Sequence, residues 1–337
     1  MPMSLFPAAP RLRPGGDQNP SADHECPRLG LRLLFLAVFL FLVLGSQAAW
    51  AGIPVRAAIM MNMTTGRILY QKNADKAIPP ASLTKLMTSF LVHDAIAAGR
   101  LSMGTKVRIP REAARVGGSS MHLRTGERVT VAKLLQGTLI SSGNDAATAL
   151  ALKVSGRQKN FVDAMNTKAA RLGMKHTRFK NPTGLPAAGQ VTTARDMMRL
   201  SLAYLARYPR AAKISGLKTY YHRGRAHNTT NPFLGTRGVN GLKTGFTLSS
   251  GYNIILTTQR GPNRLLIVLL GASSKYRRSV AASALLNAGL RYPNSASHVR
   301  KLIDGSSKRQ LSSRQKVYKK KYVAKKKKRT ARKSSAR

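Results

Sequence analysis

Apolar positions near the start of the long central region fall in two short blocks, residues 55–61 and 67–70, with Thr64-Thr65-Gly66 between them. Apolar runs broken by a turn triplet predict two strands joined tightly. From 82 to 98 the period changes: Leu83, Leu86, Met87, Phe90, Leu91 and Ile96 recur at helical spacing, and Pro79-Pro80 sets the earliest start. Residues 131–140, 146–154 and 161–172 predict further helices. Residues 252–257 and 265–270 read as strands around the turn Gly261-Pro262-Asn263, and 278–290 as a closing helix. Early and late strands around a helical middle predict an α/β fold, a mixed antiparallel sheet flanked by helices, with both ends of the domain in a common sheet.

The two termini follow other patterns. Residues 33–44 are unbroken apolar sequence, preceded by Arg28 and Arg32 and followed by Ala49-Trp50-Ala51. A run of about a dozen falls short of the roughly 20 residues needed to span a bilayer. The order basic, apolar, A-x-A reads as a secretory signal cleaved after Ala51, so 1–51 is expected to be a leader and the protein to be exported. Residues 299–337 are dominated by Lys, Arg, Ser and Gln, with dense basic runs at 319–321 and 325–329. They are expected to form a disordered basic tail, leaving 52–298 as the folded domain.

Charge narrows the class of partner. Lys+Arg number 58 against 11 Asp+Glu, a formal net charge of +47. The surplus persists through 52–299, where Asp75, Asp94, Glu112, Glu127, Asp145, Asp163 and Asp196 are the acidic residues. Such a chain attracts polyanions, whether nucleic acid, acidic lipid or acidic glycan. A DNA-binding role for the tail would suit a cytosolic protein, and the export signal argues against it. Anionic membrane or wall polymer is then the expected partner of the tail. The single cysteine, Cys26, lies in the leader, so the mature protein is expected to lack a thiol and cysteine catalysis is excluded. The seven histidines are scattered, and no His/Cys/Asp/Glu cluster has metal-ligand spacing, so no metal or cofactor is expected.

Three short motifs appear in order: Ser82-Leu83-Thr84-Lys85 at a helix start, Ser142-Gly143-Asn144 between two helices, and Lys243-Thr244-Gly245 on a late strand. S-x-x-K, S-x-N and K-T-G together mark penicillin-binding proteins and serine β-lactamases. A serine and a lysine three apart on a helix share a face, so the amine reaches the hydroxyl. Serine is a poor nucleophile until a base takes its proton, and Lys85 is the candidate base. It must be neutral to act, and burial beside cationic Lys243 would lower its pKa. Ser142 can relay protons to a leaving amine, and Asn144 can hold a substrate amide. Lys243 and Thr244 can bind a terminal carboxylate, and the strand after them can donate an N–H to an oxyanion.

From residue 56 to 290 the chain resembles the D-alanyl-D-alanine carboxypeptidases of the low-molecular-mass penicillin-binding proteins. The resemblance is carried by Ile78-Pro79-Pro80-Ala81-Ser82-Leu83-Thr84-Lys85-Leu86-Met87-Thr88, Ser141-Ser142-Gly143-Asn144-Asp145-Ala146-Ala147, Asn181-Pro182-Thr183-Gly184-Leu185 and Gly241-Leu242-Lys243-Thr244-Gly245-Phe246-Thr247. It implies the serine β-lactamase/transpeptidase-like fold. It implies that Ser82 is acylated, Lys85 accepts the proton and Ser142 shares its transfer. It also implies that Lys243 binds substrate, Phe246 supplies an oxyanion-hole N–H and Arg278, with Arg277 beside it, helps hold the substrate carboxylate. The implied substrate is the peptidoglycan pentapeptide, with β-lactams as covalent inhibitors. Two departures are visible. Asn62 stands where the family usually carries aspartate, a change expected to cost little. About 45 residues follow Tyr292, the basic tail in place of the second domain and membrane-lying helix of many relatives.

Two other activities share the motifs. Class A β-lactamases use a glutamate beyond the second motif, and no glutamate lies between Asn144 and Lys243. A D-alanyl-D-alanine endopeptidase that cuts crosslinks fits the short C-terminus. The Ser142-Gly143-Asn144 form and Gly241 before Leu242-Lys243 favour the carboxypeptidase.

Overall fold

The computed structural model describes residues 52–305. The leader run at 33–44, the cleavage point after Ala51 and the basic runs beyond 305 lie outside the described residues. Five antiparallel strands form the central sheet: β1 (Ala57–Asn62), β2 (Ile68–Lys72), β7 (Val239–Thr247), β8 (Gly251–Arg260) and β9 (Asn263–Ala272). Their order is β2-β1-β9-β8-β7, so the two early strands extend the late ones, as expected from the pattern of the ends.

The middle strand shows why the sheet is covered on both faces. Leu265, Leu266, Ile267, Val268, Leu269 and Leu270 of β9 are all fully buried. Successive side chains of a strand point to opposite faces. Leu266, Val268 and Leu270 therefore enter one core with α1 (Lys85–Ala97), α5 (Gln158–Arg171) and α6 (Ala194–Arg207). Leu265, Ile267 and Leu269 enter another with α8 (Lys275–Arg291) and α9 (Ala296–Gly305). Each such side chain contributes about 1.5–3 kcal/mol of burial. A third core joins α3 (Val131–Leu139) and α4 (Asn144–Ser155) to a small sheet of β3 (Lys106–Arg108) and β4 (Arg128–Thr130). Between them lie the short α2 (Arg111–Ala114) and α7 (Ala211–Ser215) and the hairpin β5 (Thr219–His222) and β6 (Arg225–Asn228).

Two expected boundaries need correction. The helix read from 82 is two pieces: a 3-10 turn, Ala81–Thr84, and α1, which begins only at Lys85. Ala81 sits in the left-handed region at φ 48°, and the Leu83 N–H donates to Pro80 O at 3.3 Å, so the chain bends tightly between the prolines and α1. The tail boundary at 299 falls inside α9, whose Val299 and Ile303 are buried against the α8 side of the sheet. The i, i+4 pair was hidden by the basic composition around it.

Asn62 also does more than its position in the sequence suggested. It is fully buried. Its Nδ2 donates to Pro293 O at 2.9 Å and stands 3.3 Å from the side-chain oxygens of Asn263 and Asn294. Its Oδ1 accepts from Thr64 N–H at 2.9 Å. The amide thus ties the β1–β2 turn to the segment after α8, and a carboxylate could not donate there. Asn62→Asp should lose about 1–3 kcal/mol of stability at neutral pH, read as a lower urea midpoint with unchanged slope. The loss should shrink in acid, because the surrounding oxygens raise the new carboxyl's pKa and the protonated form can donate again. A midpoint equal to wild type at pH 7 would mean that the donor is dispensable.

Candidate active site

Ser82 sits where three segments meet. It lies on the 3-10 turn, one residue after left-handed Ala81. A Cβ on Gly184 would stand 1.8 Å from Ala81 O, so only glycine lets the loop after Pro182 pass under this turn. A Cβ on Gly245 would meet Ser82 N at 3.0 Å, which sets the edge strand β7 directly against the Ser82 backbone.

Lys85 opens α1 and is fully buried. Its Nζ lies 3.0 Å from Ser82 Oγ and donates to Asn144 Oδ1 and Thr183 O, both at 2.7 Å. Burial pushes its pKa well below the ordinary lysine range; cationic Lys243 pushes the same way and Asp145 opposes. Lys243 on β7 is likewise buried, and its Nζ donates to Ser142 Oγ at 3.0 Å and to Thr244 O at 2.8 Å. Burial lowers its pKa to about 7. Ser142 is held at φ 66°, a left-handed conformation that aims its hydroxyl back into the site just before α4.

The structure brings Ser82, Lys85, Ser142, Asn144 and Lys243 into one site as two hydrogen-bonded groups, Lys85 with Ser82 and Asn144, and Lys243 with Ser142. Both ends of the Asn144 amide are engaged within the protein, Oδ1 by Lys85 and Nδ2 by Gly117 O at 2.6 Å. Thr244 Oγ1 donates to Thr230 Oγ1 at 2.6 Å, and the Phe246 ring is half exposed, stacked on Tyr252 at 4.2 Å. Arg278 is on α8 and buried, with a Nε that has no partner among the described residues. No hydrogen bond described joins it to Lys243 or Thr244, whereas Arg277 is exposed.

Two parts of the site were not singled out from the sequence. The Thr183 carbonyl is aimed at Lys85 by an Asn181 turn: Asn181 Oδ1 accepts from Thr183 N and Gly184 N, and its Nδ2 donates to Leu185 O. Asp145 accepts from Ser120 Oγ and the N–H groups of Met121 and Leu123, which clamps the 117–123 loop onto the start of α4. Asn-Pro-Thr-Gly is a turn signal, but no periodicity says which carbonyl it presents.

Residues 45–274 match the family described as D-alanyl-D-alanine carboxypeptidase. The chain belongs to that family. It is 36% identical over 249 residues to D-alanyl-D-alanine carboxypeptidase DacF of Bacillus subtilis, covering 72% of this chain and 64% of DacF. It thus spans less than two thirds of that relative. It is 34% identical over 276 residues to a D-alanyl-D-alanine endopeptidase of Pseudomonas aeruginosa, covering 76% of this chain and 86% of that one. Among solved structures, penicillin-binding protein D2 of Listeria monocytogenes in its cefotaxime-bound form superposes with a TM-score of 0.65 at 34% identity, covering 71% of this chain and 98% of that one. The antiparallel sheet with flanking helices is the fold of these penicillin-binding neighbours.

The two lysines predict a pH profile. Lys85 must be neutral to act, and its lowered pKa means that acylation rises as this proton leaves. Lys243 keeps its charge only below about 7, so a ligand carboxylate loses its partner above that. The second-order rate of Ser82 acylation by a labelled penicillin should therefore be bell-shaped, with its alkaline limb near neutrality. Lys243→Arg, permanently charged, should move that limb out of the measurable range even if the absolute rate falls. An alkaline limb that stays in place would assign it to another group.

Proposed function

We propose that this chain is a serine-type D-Ala-D-Ala carboxypeptidase acting on peptidoglycan stem peptides through an acyl-enzyme on Ser82. One observation carries the reading: two buried amines, each 3.0 Å from a serine hydroxyl, one beside the nucleophile and one beside its partner. Neutral Lys85 takes the Ser82 proton as Oγ attacks the carbonyl between the two D-alanines. The developing oxyanion lies between the Ser82 turn and the strand at Phe246, where backbone N–H groups can stabilise it. Lys85 returns that proton through Ser142, itself hydrogen-bonded to charged Lys243, to the leaving amine, so D-alanine departs and Lys85 is neutral again. Water then attacks the ester with Lys85 again as base, releasing the shortened peptide and free Ser82.

The β-lactamase alternative lacks a water-activating carboxylate. The acids between Asn144 and Lys243 that are not in the site are Asp163 and Asp196. Asp163 is paired with Lys159, and Asp196 is buried on His176 N, Thr177 and Arg199. β-Lactams are expected to acylate Ser82 and to leave slowly. The match to an endopeptidase over 86% of its length keeps crosslink cleavage as the second reading. An exported location is part of the proposal and rests on the apolar run at 33–44.

Labelled penicillin should attach to the peptide containing Ser82, and Ser82→Ala should abolish the attachment. Purified sacculi digested by the enzyme should release free D-alanine with crosslinks intact. Loss of crosslinked dimers without free D-alanine would decide for the endopeptidase, and undiminished labelling of the alanine variant would overturn the acyl-enzyme altogether.

A further inference from the structure

The small sheet of β3 and β4 carries charges that its fold does not need. In its ladder Lys106 pairs with Thr130, Val107 with Val129 and Arg108 with Arg128. Val107 and Val129 are buried in the third core. By alternation Lys106, Arg108, Arg128 and Thr130 share the outward face, and the three cations are exposed. Arg108 and Arg128 therefore stand directly opposite each other, with Cβ atoms about 5 Å apart, and like charges so placed destabilise a sheet. Among the described residues neither arginine is in an ion pair. An uncharged polar side chain at either position would serve a solvent face without that cost.

The charge continues past the ladder. Ile109 N–H donates to Glu127 O and Ile109 O accepts from Gly126 N–H, both at 2.8 Å. Exposed Arg111 and Arg124 follow just beyond. The two acids of this stretch do not cancel it. Glu127 is taken by His222 Nε2 at 3.1 Å and by the Arg124 N–H at 2.9 Å. Glu112 lies on α2, with Arg111 before it and Arg115 after it in the sequence. Outward positions recur about every 7 Å along each strand and about every 5 Å across the ladder. That is a narrow strip of discrete charges, spaced for successive anionic groups of one extended chain. Arginine forks grip phosphate oxygens in bidentate pairs. The outward row carries no apolar side chain, whereas a bilayer surface is engaged by basic residues set among apolar anchors.

We infer that the outward face of β3 and β4 is a docking strip for a linear phosphate-bearing polymer, with Arg108 and Arg128 closing on one phosphate and Lys106 on its neighbour. The bound anion relieves the repulsion between the two arginines and so stabilises the fold. None of these residues belongs to the site around Ser82, so the strip goes beyond the carboxypeptidase reading and does not rest on it.

Inorganic polyphosphate is the probe, added to the full chain. The Lys/Arg runs at 319–321 and 325–329 also attract it. Binding is therefore read residue by residue, as the rate at which each lysine is acetylated with and without polyphosphate. Lys106 should be slowed about fivefold or more, while exposed Lys76 and Lys175 on other parts of the surface should change by less than about twofold. Added salt should remove the protection. Arg108→Glu converts the like-charge pair into an opposite one. It should lose the Lys106 protection and, without polyphosphate, raise the thermal midpoint by about 1–3 °C. Arg260→Glu makes the same charge change at the exposed end of β8 opposite Asn263, and should keep the protection. Equal slowing of all three lysines, or equal loss of protection in both variants, would mean diffuse attraction and overturn the strip. Lys106 protection that survives Arg108→Glu would overturn it too. Phosphatidylglycerol vesicles that protect Lys106 as well as polyphosphate does would overturn the polymer in favour of a membrane surface.

Discussion

Two lysines buried in one site, each hydrogen-bonded to a serine, set the terms for everything around them. An ammonium taken out of water is costly unless hydrogen-bonded, and two side by side are costlier still. The protein answers with acceptors that carry no full charge. Lys85 is surrounded by Ser82 Oγ, the Asn144 amide oxygen and the Thr183 carbonyl, and Lys243 by Ser142 Oγ and the Thr244 carbonyl. A carboxylate in place of any of these would hold both amines charged and leave no base. Neutral acceptors satisfy the N–H groups and still let one proton go.

That requirement explains the surrounding architecture. The carbonyl of Thr183 reaches Lys85 only because the Asn181 turn folds back on itself and Gly184 lets it touch Ala81 O. Asn144 presents its oxygen because Gly117 O takes its other end, and Gly117 is in place because Asp145 gathers the N–H groups of the 117–123 loop. Thr88 in α1 closes the ring by donating to Pro182 O at 2.6 Å. The site is thus assembled from one turn, two loops and an edge strand on a rigid sheet. The sheet itself is specified by the buried run of β9.

Much of this was legible from the residues, and the failures have definite causes. The β9 run and the α3, α4 and α8 patterns are strong periodicities, and the structure places elements there. The α6 helix was missed although Met197, Met198, Leu200 and Tyr204 are buried at helical spacing, because Arg195, Arg199 and Arg207 on its outer side break up the apolar run along the sequence. The same basic interruptions hid Val299 and Ile303 of α9. The motifs named the reacting side chains, since those are chemical identities. The backbone acceptors were invisible, because a carbonyl has the same identity in every residue and only the fold decides which one faces an amine. Arg278 was legible as a residue type, and the structure places its guanidinium buried on α8.

The charge of the chain and the chemistry of its base point the same way. A neutral lysine is favoured by neighbouring cations and opposed by neighbouring anions. Most acids of the described domain are committed to partners away from Lys85: Asp75 to Arg195, Asp94 to Lys168, Glu127 to His222 and Asp163 to Lys159. Asp145 is the acid that acts on Lys85, and it raises the pKa. Its carboxylate is occupied by the Ser120 hydroxyl and the N–H groups of Met121, Leu123 and Ala146, which spread its charge over donors that do not titrate. An acid so engaged can anchor the loop that holds Asn144 without capturing the lysine as an ion pair. The scarcity of free carboxylates, first read as a clue to a polyanionic partner, therefore also favours the neutral form of Lys85 that the proposed mechanism needs.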